Sequence, residues 1–257
     1  MTHPCLLLVP NTLDLGEPEA GQADIRDVLP DGVLRRVAAL TDWVAEDAKS
    51  TRAFLQRVAR VCPLAAPLQA IRIVTLPRPP KGQGPGQPVL SAAVWSELLA
   101  PVRQGRSLGL ISEAGLPGVA DPGAALVAQA HAQQLRVQVL SGPSSLTLAL
   151  AASGLHGQSF AFVGYLPQDS GQRDKRLREL EQRSRQWQQT QVVIETPYRN
   201  AALAQALLAQ LAPTTRLSIS AGLTLPHGWS RTLTVDHWRA QPPQWPDKVP
   251  AVFCFLA

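Results

Sequence analysis

The chain lacks most of the residue patterns that hold metals or nucleotide phosphates. Its three cysteines, Cys5, Cys62 and Cys254, are odd in number and widely spaced, two of them inside apolar runs. Buried free thiols are therefore expected in place of disulfides or a metal site. There is no CxxC and no HExxH, and neither a nucleotide-phosphate loop nor a dinucleotide fingerprint, so no metal is expected and the common phosphate cradles are excluded. No run approaches about 18 uninterrupted apolar residues, and residues 1–10 place no basic region ahead of their short apolar run. Neither a membrane span nor a signal peptide is expected, which predicts a cytoplasmic protein. No solenoid repeat and no heptad run is present.

What is present is the balance of a folded globular chain, 45% hydrophobic and 17% charged over 257 residues, enough for two modest domains sharing an interface. The net charge of +5 permits an anionic partner without requiring one. Its densest basic cluster, Arg173, Lys175, Arg176, Arg178, Arg183 and Arg185, is broken by Asp174, Glu179 and Glu181. That stretch reads first as a solvated helix face with i,i+4 pairs and second as an RNA surface.

Short β-rich runs alternate with helical patterns from end to end, which argues for an α/β protein with parallel sheets flanked by helices. In the first half the patterns predict strands at 5–9, 43–46, 71–75, 108–112 and 137–140, with helices at 31–40, 49–61, 89–103 and 123–134. In the second half they predict strands at 160–164, 191–195, 217–221, 230–235 and 251–256, with helices at 144–153, 172–188 and 201–211. The late strands follow one another through short Gly/Pro turns, so the second sheet is expected to be mixed, with antiparallel pairing at its end. The division falls near Gly142, giving an N-terminal domain 1–141 and a C-terminal domain 142–257. Segments 13–22 and 77–88 read as loops, the latter too rich in Pro and Gly for a helix or a central strand.

The most informative stretch is Ile111-Ser-Glu-Ala-Gly-Leu-Pro-Gly-Val-Ala-Asp-Pro-Gly123, which follows a predicted strand and precedes a helix, a junction where α/β proteins bind ligands. Its glycines permit close backbone approach, and Ser112, Glu113 and Asp121 supply polar groups. The structural alternative is a tight connection with Asp121 as helix N-cap and Pro122 at the first helical position. A second junction, Val139-Leu-Ser-Gly-Pro-Ser-Ser-Leu146, offers Ser144 or Ser145 as a cap and amides for a polar ligand. Gly164-Tyr-Leu-Pro167 and Ile194-Glu-Thr-Pro-Tyr-Arg-Asn200 end two neighbouring strands. If both face the first half, Tyr165, Glu195, Thr196, Tyr198 and Arg199 line a cleft between the domains.

In order, SEAGLPGVADPG, LSGPSS, GQSFAFVGYLP and IETPYRN resemble the run of motifs in the tetrapyrrole-methylase superfamily, in its ribosomal RNA ribose 2′-O-methyltransferase branch. Upstream, Val44-Ala-Glu-Asp-Ala-Lys-Ser-Thr-Arg52 is similar to that branch's AEDTR segment. The resemblance covers roughly residues 41–200. It implies a two-domain fold, with S-adenosylmethionine bound in the cleft between a parallel-sheet domain and a mixed-sheet domain, and a homodimer. It implies Pro10, Ser112, Glu113, Ala114, Gly115, Asp121, Pro143, Ser144, Ser145, Tyr165, Leu166, Glu195 and Thr196 in the cofactor's neighbourhood. It places Glu46, Asp47 and Arg52 on the substrate side.

The chain departs from the branch in three places, one of them the Pro/Gly-rich segment 77–88, which replaces a region with polar substrate-facing residues in the ribosomal RNA enzymes. Val9-Pro-Asn-Thr-Leu-Asp-Leu-Gly16 stands where Thr-Pro-Ile-Gly-Asn-Leu is usual, and Ser220-Ala-Gly-Leu-Thr-Leu-Pro-His-Gly228 stands where a charged Arg-Glu-Leu-Thr-Lys-x-His-Glu stretch is usual.

Methyl transfer from a sulfonium is an in-line displacement that depends on alignment and needs no metal. A ribose hydroxyl acceptor must lose its proton, and Asp47 and Glu113, ahead of Glu46 and Glu195, are the candidate bases. Arg52 and Arg199 would hold phosphates or carboxylates. The structural alternative for Glu46 and Asp47 is that they close a strand and open a helix. Three functions stay open: an RNA or ribosomal-subunit methyltransferase, a methyltransferase of a tetrapyrrole or another small molecule, and a non-catalytic S-adenosylmethionine-binding protein.

Overall fold

A computed structural model describes residues 3–14, 24–77, 91–244 and 249–257. The expected loops at 13–22 and 77–88 lie outside them, apart from Leu13, Asp14 and Pro77. The chain divides into two compact units, Met1–Pro143 and Ser144–Ala257.

In the first unit, β1 (Leu6–Val9), β2 (Asp42–Ala45), β3 (Arg72–Thr75), β4 (Leu108–Ile111) and β5 (Val137–Val139) form a sheet in the order β3-β2-β4-β1-β5. Every pairing in it is parallel. The central strands are apolar on both faces because helices cover both. Leu7, Val9, Trp43, Ala45 and Ile111 belong to a core shared with α1 (Asp31–Ala38) and α2 (Ala48–Ala59). Leu6, Val44, Leu108 and Leu110 point the other way, into a core with α3 (Ala92–Leu98), α4 (Ala100–Arg103) and α5 (Ala124–Ala132). The period-2 alternation of each strand thus feeds two cores from one sheet.

Trp43 is fully buried and stands in register with Gly109 on the next strand. A Cβ at position 109 would lie 2.6 Å from its ring, so the missing side chain of Gly109 is the space the indole occupies.

In the second unit, β6 (Phe160–Tyr165), β7 (Thr190–Ile194), β8 (Arg216–Ala221), β9 (Trp229–Thr234) and β10 (Ala251–Leu256) form a sheet in the order β6-β7-β10-β8-β9. Only β6 and β7 are parallel; β10 runs antiparallel to β7 and β8, and β8 to β9. One face buries Val193, Leu217, Ile219, Phe253 and Phe255 with residues of α7 (Ser170–Trp187), α8 (Asn200–Gln210) and α9 (Val235–Ala240). On the other face Val192, Val252 and Cys254 pack on Ala149 of α6 (Ser145–Ser153).

The α/β class, the five strands per half and the mixed second sheet all match the expectation from pattern. Three local features differ. Of the helix expected over 89–103, residues 89 and 90 lie outside the described residues, and the remainder is two helices meeting at Leu99, where Pro101, lacking an N–H, falls in the first turn of α4. Residues 235–240 form a helix and do not prolong β9. The helix after the glycine-rich loop starts at Ala124 with Gly123 as its cap at φ +132° and no side-chain cap bond, so Asp121 is not the N-cap, nor Pro122 the first helical residue. Cys5 and Cys254 are buried and Cys62 half-buried, all three as free thiols.

Candidate active site

The carboxyl edge of the first sheet is built by the loops after β1, β2 and β4. Asn11 fastens two of them together. Its backbone N–H donates to Gly115 O at 2.8 Å, and its side-chain amide donates to Ser112 O at 3.1 Å and Glu113 O at 2.9 Å. Its Oδ1 accepts the Thr12 N–H at 2.9 Å. Gly115 turns the chain at φ +66°, a conformation open to glycine at little cost. Beside it, Ser112 Oγ donates to Ala114 O at 3.0 Å. Pro143 O would lie 3.7 Å from a Cβ on Gly115, and Pro10 Cβ only 2.2 Å from one on Gly142. Pro10, Ser112, Ala114, Gly115 and Pro143 are therefore gathered at one edge.

Three carboxylates meet there. Glu46, just past β2, accepts the Glu113 N–H through Oε2 at 3.1 Å, while its own N–H donates to Ile111 O at 3.0 Å. Burial pushes the Asp121 carboxyl up to about 6, the charge of Glu46 adds to the rise, a hydrogen bond with Ser112 opposes it, and Glu113 raises it further. The ordinary value is 3.8, so the folded chain holds this proton more tightly than the unfolded chain. Its ionisation therefore opposes folding: the stabilising contribution of the proton is present at low pH and is lost as pH rises from about 4 to about 6. Measured by urea unfolding across that window, wild-type stability falls relative to Asp121→Asn and levels off above it. A constant difference between the two would place Asp121 in an ordinary solvated setting.

Next to the carboxylates lies a cavity of about 710 Å³ lined by Asn11, Asp14, Asp47, Lys49, Arg57 and Glu113 among others. Asp14, buried, pairs with Arg57 at 2.9 Å, and Arg57 also donates to Thr12 Oγ1 at 3.1 Å. Asp47 caps α2: its Oδ1 accepts the Ser50 N–H at 2.7 Å. The capping role weighed against catalysis for Asp47 is thus real, while its side chain still borders the cavity. Arg52 stays outside that lining, exposed, with its guanidinium on Ala48 O of its own helix.

In the second unit, Ser144 occupies the N-cap position of α6 without a side-chain cap bond, followed by Ser145. Tyr165 is 58% exposed at the end of β6 and Leu166 is buried. Glu195, with a side chain 6% exposed, pairs with Arg199 at 3.0 Å and accepts the Thr196 N–H at 2.8 Å. Arg199 is held by this pair, which weakens both the base expected at Glu195 and the anion clamp expected at Arg199.

Residues 33–236 match the family model of the tetrapyrrole (corrin/porphyrin) methylases. The chain belongs to that family. Among curated relatives, ribosomal RNA small subunit methyltransferase I of Mesorhizobium japonicum is 37% identical over 148 residues, 56% of this chain and 49% of that protein. The protein of the same name from Coprothermobacter proteolyticus is 34% identical over 144 residues, 54% and 63% of the two chains. The chain thus spans less than two thirds of either relative's length. Among solved structures, the methyltransferase CobJ superposes with a TM-score of 0.56 at 16% identity, covering 98% of this chain and 93% of CobJ. Diphthine synthase gives 0.55 at 15%, covering 98% and 89%. At these identities the family likeness lies in the fold.

Asn11, Thr12, Asp14 and Arg57 were not singled out as site residues from sequence. The one signal was the asparagine retained in the altered segment after β1; the Asp14–Arg57 pair spans two elements and leaves no local pattern. Among the described residues no His/Cys/Asp/Glu group of three or more is placed to hold a metal ion, and no helix is long and apolar enough to cross a membrane.

Proposed function

We propose that the chain is an S-adenosylmethionine-dependent methyltransferase that modifies a ribose 2′-hydroxyl of RNA in the small ribosomal subunit. The observation that carries this reading is the identity of 37% and 34% with proteins named for that subunit's RNA, within a family of methylases. A homodimer is the state the family resemblance implies, and the cytoplasm is the location expected from sequence.

The first unit's edge suits this methyl donor, which bears a cationic sulfonium and ammonium. Glu46, Glu113 and Asp121 supply negative charge around the loop, and Gly142, packed against Pro10, lets the loops after β1 and β5 approach closely beside it. When bound, the donor supplies an electrophilic methyl group. The chain's part is to align a hydroxyl with it and accept the proton. Glu113, exposed and bordering the cavity, is ranked ahead of Asp47, whose Oδ1 already accepts the Ser50 N–H.

Calorimetry with S-adenosylmethionine and S-adenosylhomocysteine tests the donor. Saturable binding is expected, weakened about 10-fold or more by Asp121→Ala, the scale of one charge-assisted contact. Labelled methyl transfer to small subunits from a strain lacking the protein then tests the acceptor. Transfer only to a tetrapyrrole would make this a small-molecule enzyme, binding without transfer a non-catalytic protein, and no binding of either compound would end the methyltransferase reading.

A further inference from the structure

The amino ends of the first unit's strands carry a second cavity, of about 380 Å³. It is walled by the residues just ahead of four strands: Cys5 before β1, Thr41 before β2, Ser107 before β4 and Arg136 before β5. Arg36 of α1 and Arg106 join Arg136 in the lining, and no carboxylate lines it among the described residues.

The acidic neighbour is Asp42, the buried first residue of β2, which pairs with Arg106 at 3.0 Å and with Arg72 at 3.7 Å. Two guanidinium groups thus share one carboxylate. Arg36 donates to Gln138 Oε1 at 2.7 Å, a neutral partner. Arg136 is exposed and makes no ion pair or side-chain hydrogen bond among the described residues. Three arginines line the cavity, and the one aspartate beside it is shared by Arg106 with Arg72 outside the lining, which leaves an uncompensated positive potential in a concave site.

We propose that this cavity binds a phosphate of an RNA backbone, through Arg36 and Arg136 with Arg106 beside them. The planar fork of a guanidinium matches two phosphate oxygens at once. The position favours a polymer. Strands of three or four residues set the two edges of the sheet roughly 10–13 Å apart, so a ligand engaging this cavity and the carboxyl edge together must be an extended polyanion. A small metabolite at the carboxyl edge would leave these arginines without a task. This inference rests on the RNA reading above and locates part of the RNA path.

The test is fluorescence anisotropy of a labelled single-stranded RNA oligonucleotide over a salt series, with wild type, an Arg36→Gln/Arg136→Gln double variant and the corresponding lysine pair. Each lost phosphate contact lowers the slope of log affinity against log salt by about 0.7 on single strands, so the glutamine pair should lower it by roughly 1.4 and the lysine pair should retain most of it. Thermal unfolding checks each fold; should the glutamine pair not fold, exposed Arg136→Gln alone should lower the slope by about 0.7. A slope unchanged in the glutamine variant, with wild type methylating small subunits, overturns this site and leaves the function standing. RNA binding that depends on these arginines, in a wild type that methylates no RNA, supports the site and sinks the enzymatic reading. Calorimetry with inorganic phosphate separates the remaining source: saturable phosphate binding lost in the variant, with an unchanged RNA slope, makes this a free-anion site and overturns the RNA assignment.

Discussion

Gly109→Ala lowers the thermal midpoint of the protein by about 6 to 12 °C, the counterpart of roughly 3 kcal/mol from overpacking a closed core. The added methyl would sit 2.6 Å from Cε3, 2.8 Å from Cζ3 and 3.0 Å from Cδ2 of Trp43, well inside van der Waals contact. The ring has no easy retreat. It is fully buried in the cluster that includes Leu7, Val9, Leu34, Phe54 and Leu55, and so is walled by α1 and α2 as well as by its own sheet. A rigid indole has no flexible end to swing aside, so the strands or the helices must move. Trp43→Leu by itself opens a cavity and is also destabilising. Combined with Gly109→Ala, however, it should cost less than the two single changes added together, because the smaller side chain vacates the space the methyl needs. Urea unfolding of the four proteins measures that coupling. An alanine variant within about 0.5 kcal/mol of wild type would mean that the ring yields and that Gly109 is not set by it.

Asn11→Asp has the second large effect, and it falls on the site as well as on stability. The substitution keeps the shape of the side chain and replaces an NH2 donor with a carboxylate oxygen. That oxygen would face Ser112 O and Glu113 O, which the native amide bonds at 3.1 and 2.9 Å. Two acceptors lose their donor and gain a like-signed neighbour, in a position 6% exposed. Buried polar groups left unpaired cost about 1–3 kcal/mol each, so a loss of about 3 kcal/mol or more is expected. The loop that these bonds hold carries Ser112, Glu113, Ala114 and Gly115, so the affinity for S-adenosylhomocysteine should fall more than about 10-fold. Calorimetry gives the affinity, and hydrogen exchange in segment 112–118 gives the loosening. A variant that binds like wild type while exchanging faster would separate the loop from the ligand and place the cofactor elsewhere.

The loop motifs were legible because their chemistry is local. Ser112 to Gly123 combine turn residues with polar groups within a dozen positions, and Gly115 takes the positive φ that only glycine adopts cheaply. Asp121 is legible as a polar residue of the loop, and of its two readings the structural alternative, a helix cap, fails: α5 starts three positions later at Ala124, because Gly123 turns the chain at φ +132°. Whether an aspartate caps a helix or joins a carboxylate cluster depends on neighbours from other strands. Glu46 and Ser112 are those neighbours, and they lie 75 and 9 residues away in the chain. The arginines tell the same story. Arg52 and Arg199 stood out by motif, yet one rests on its own helix and the other is tied to Glu195, while Arg57 reaches Asp14 across 43 positions.

The sequence by itself determined the α/β class, the five strands in each half, the mixed pairing of the second sheet and the family, since periodicity and turn chemistry are encoded within a few residues of each position. Only the tertiary structure decided the strand order β3-β2-β4-β1-β5, the fit of Trp43 over Gly109, the fastening of two loops by Asn11 and the gathering of arginines at the sheet's far end. Each of these joins residues from separate elements of the chain, and the forces concerned, close packing, paired buried polar groups and summed charge, act through space and leave no period in the chain.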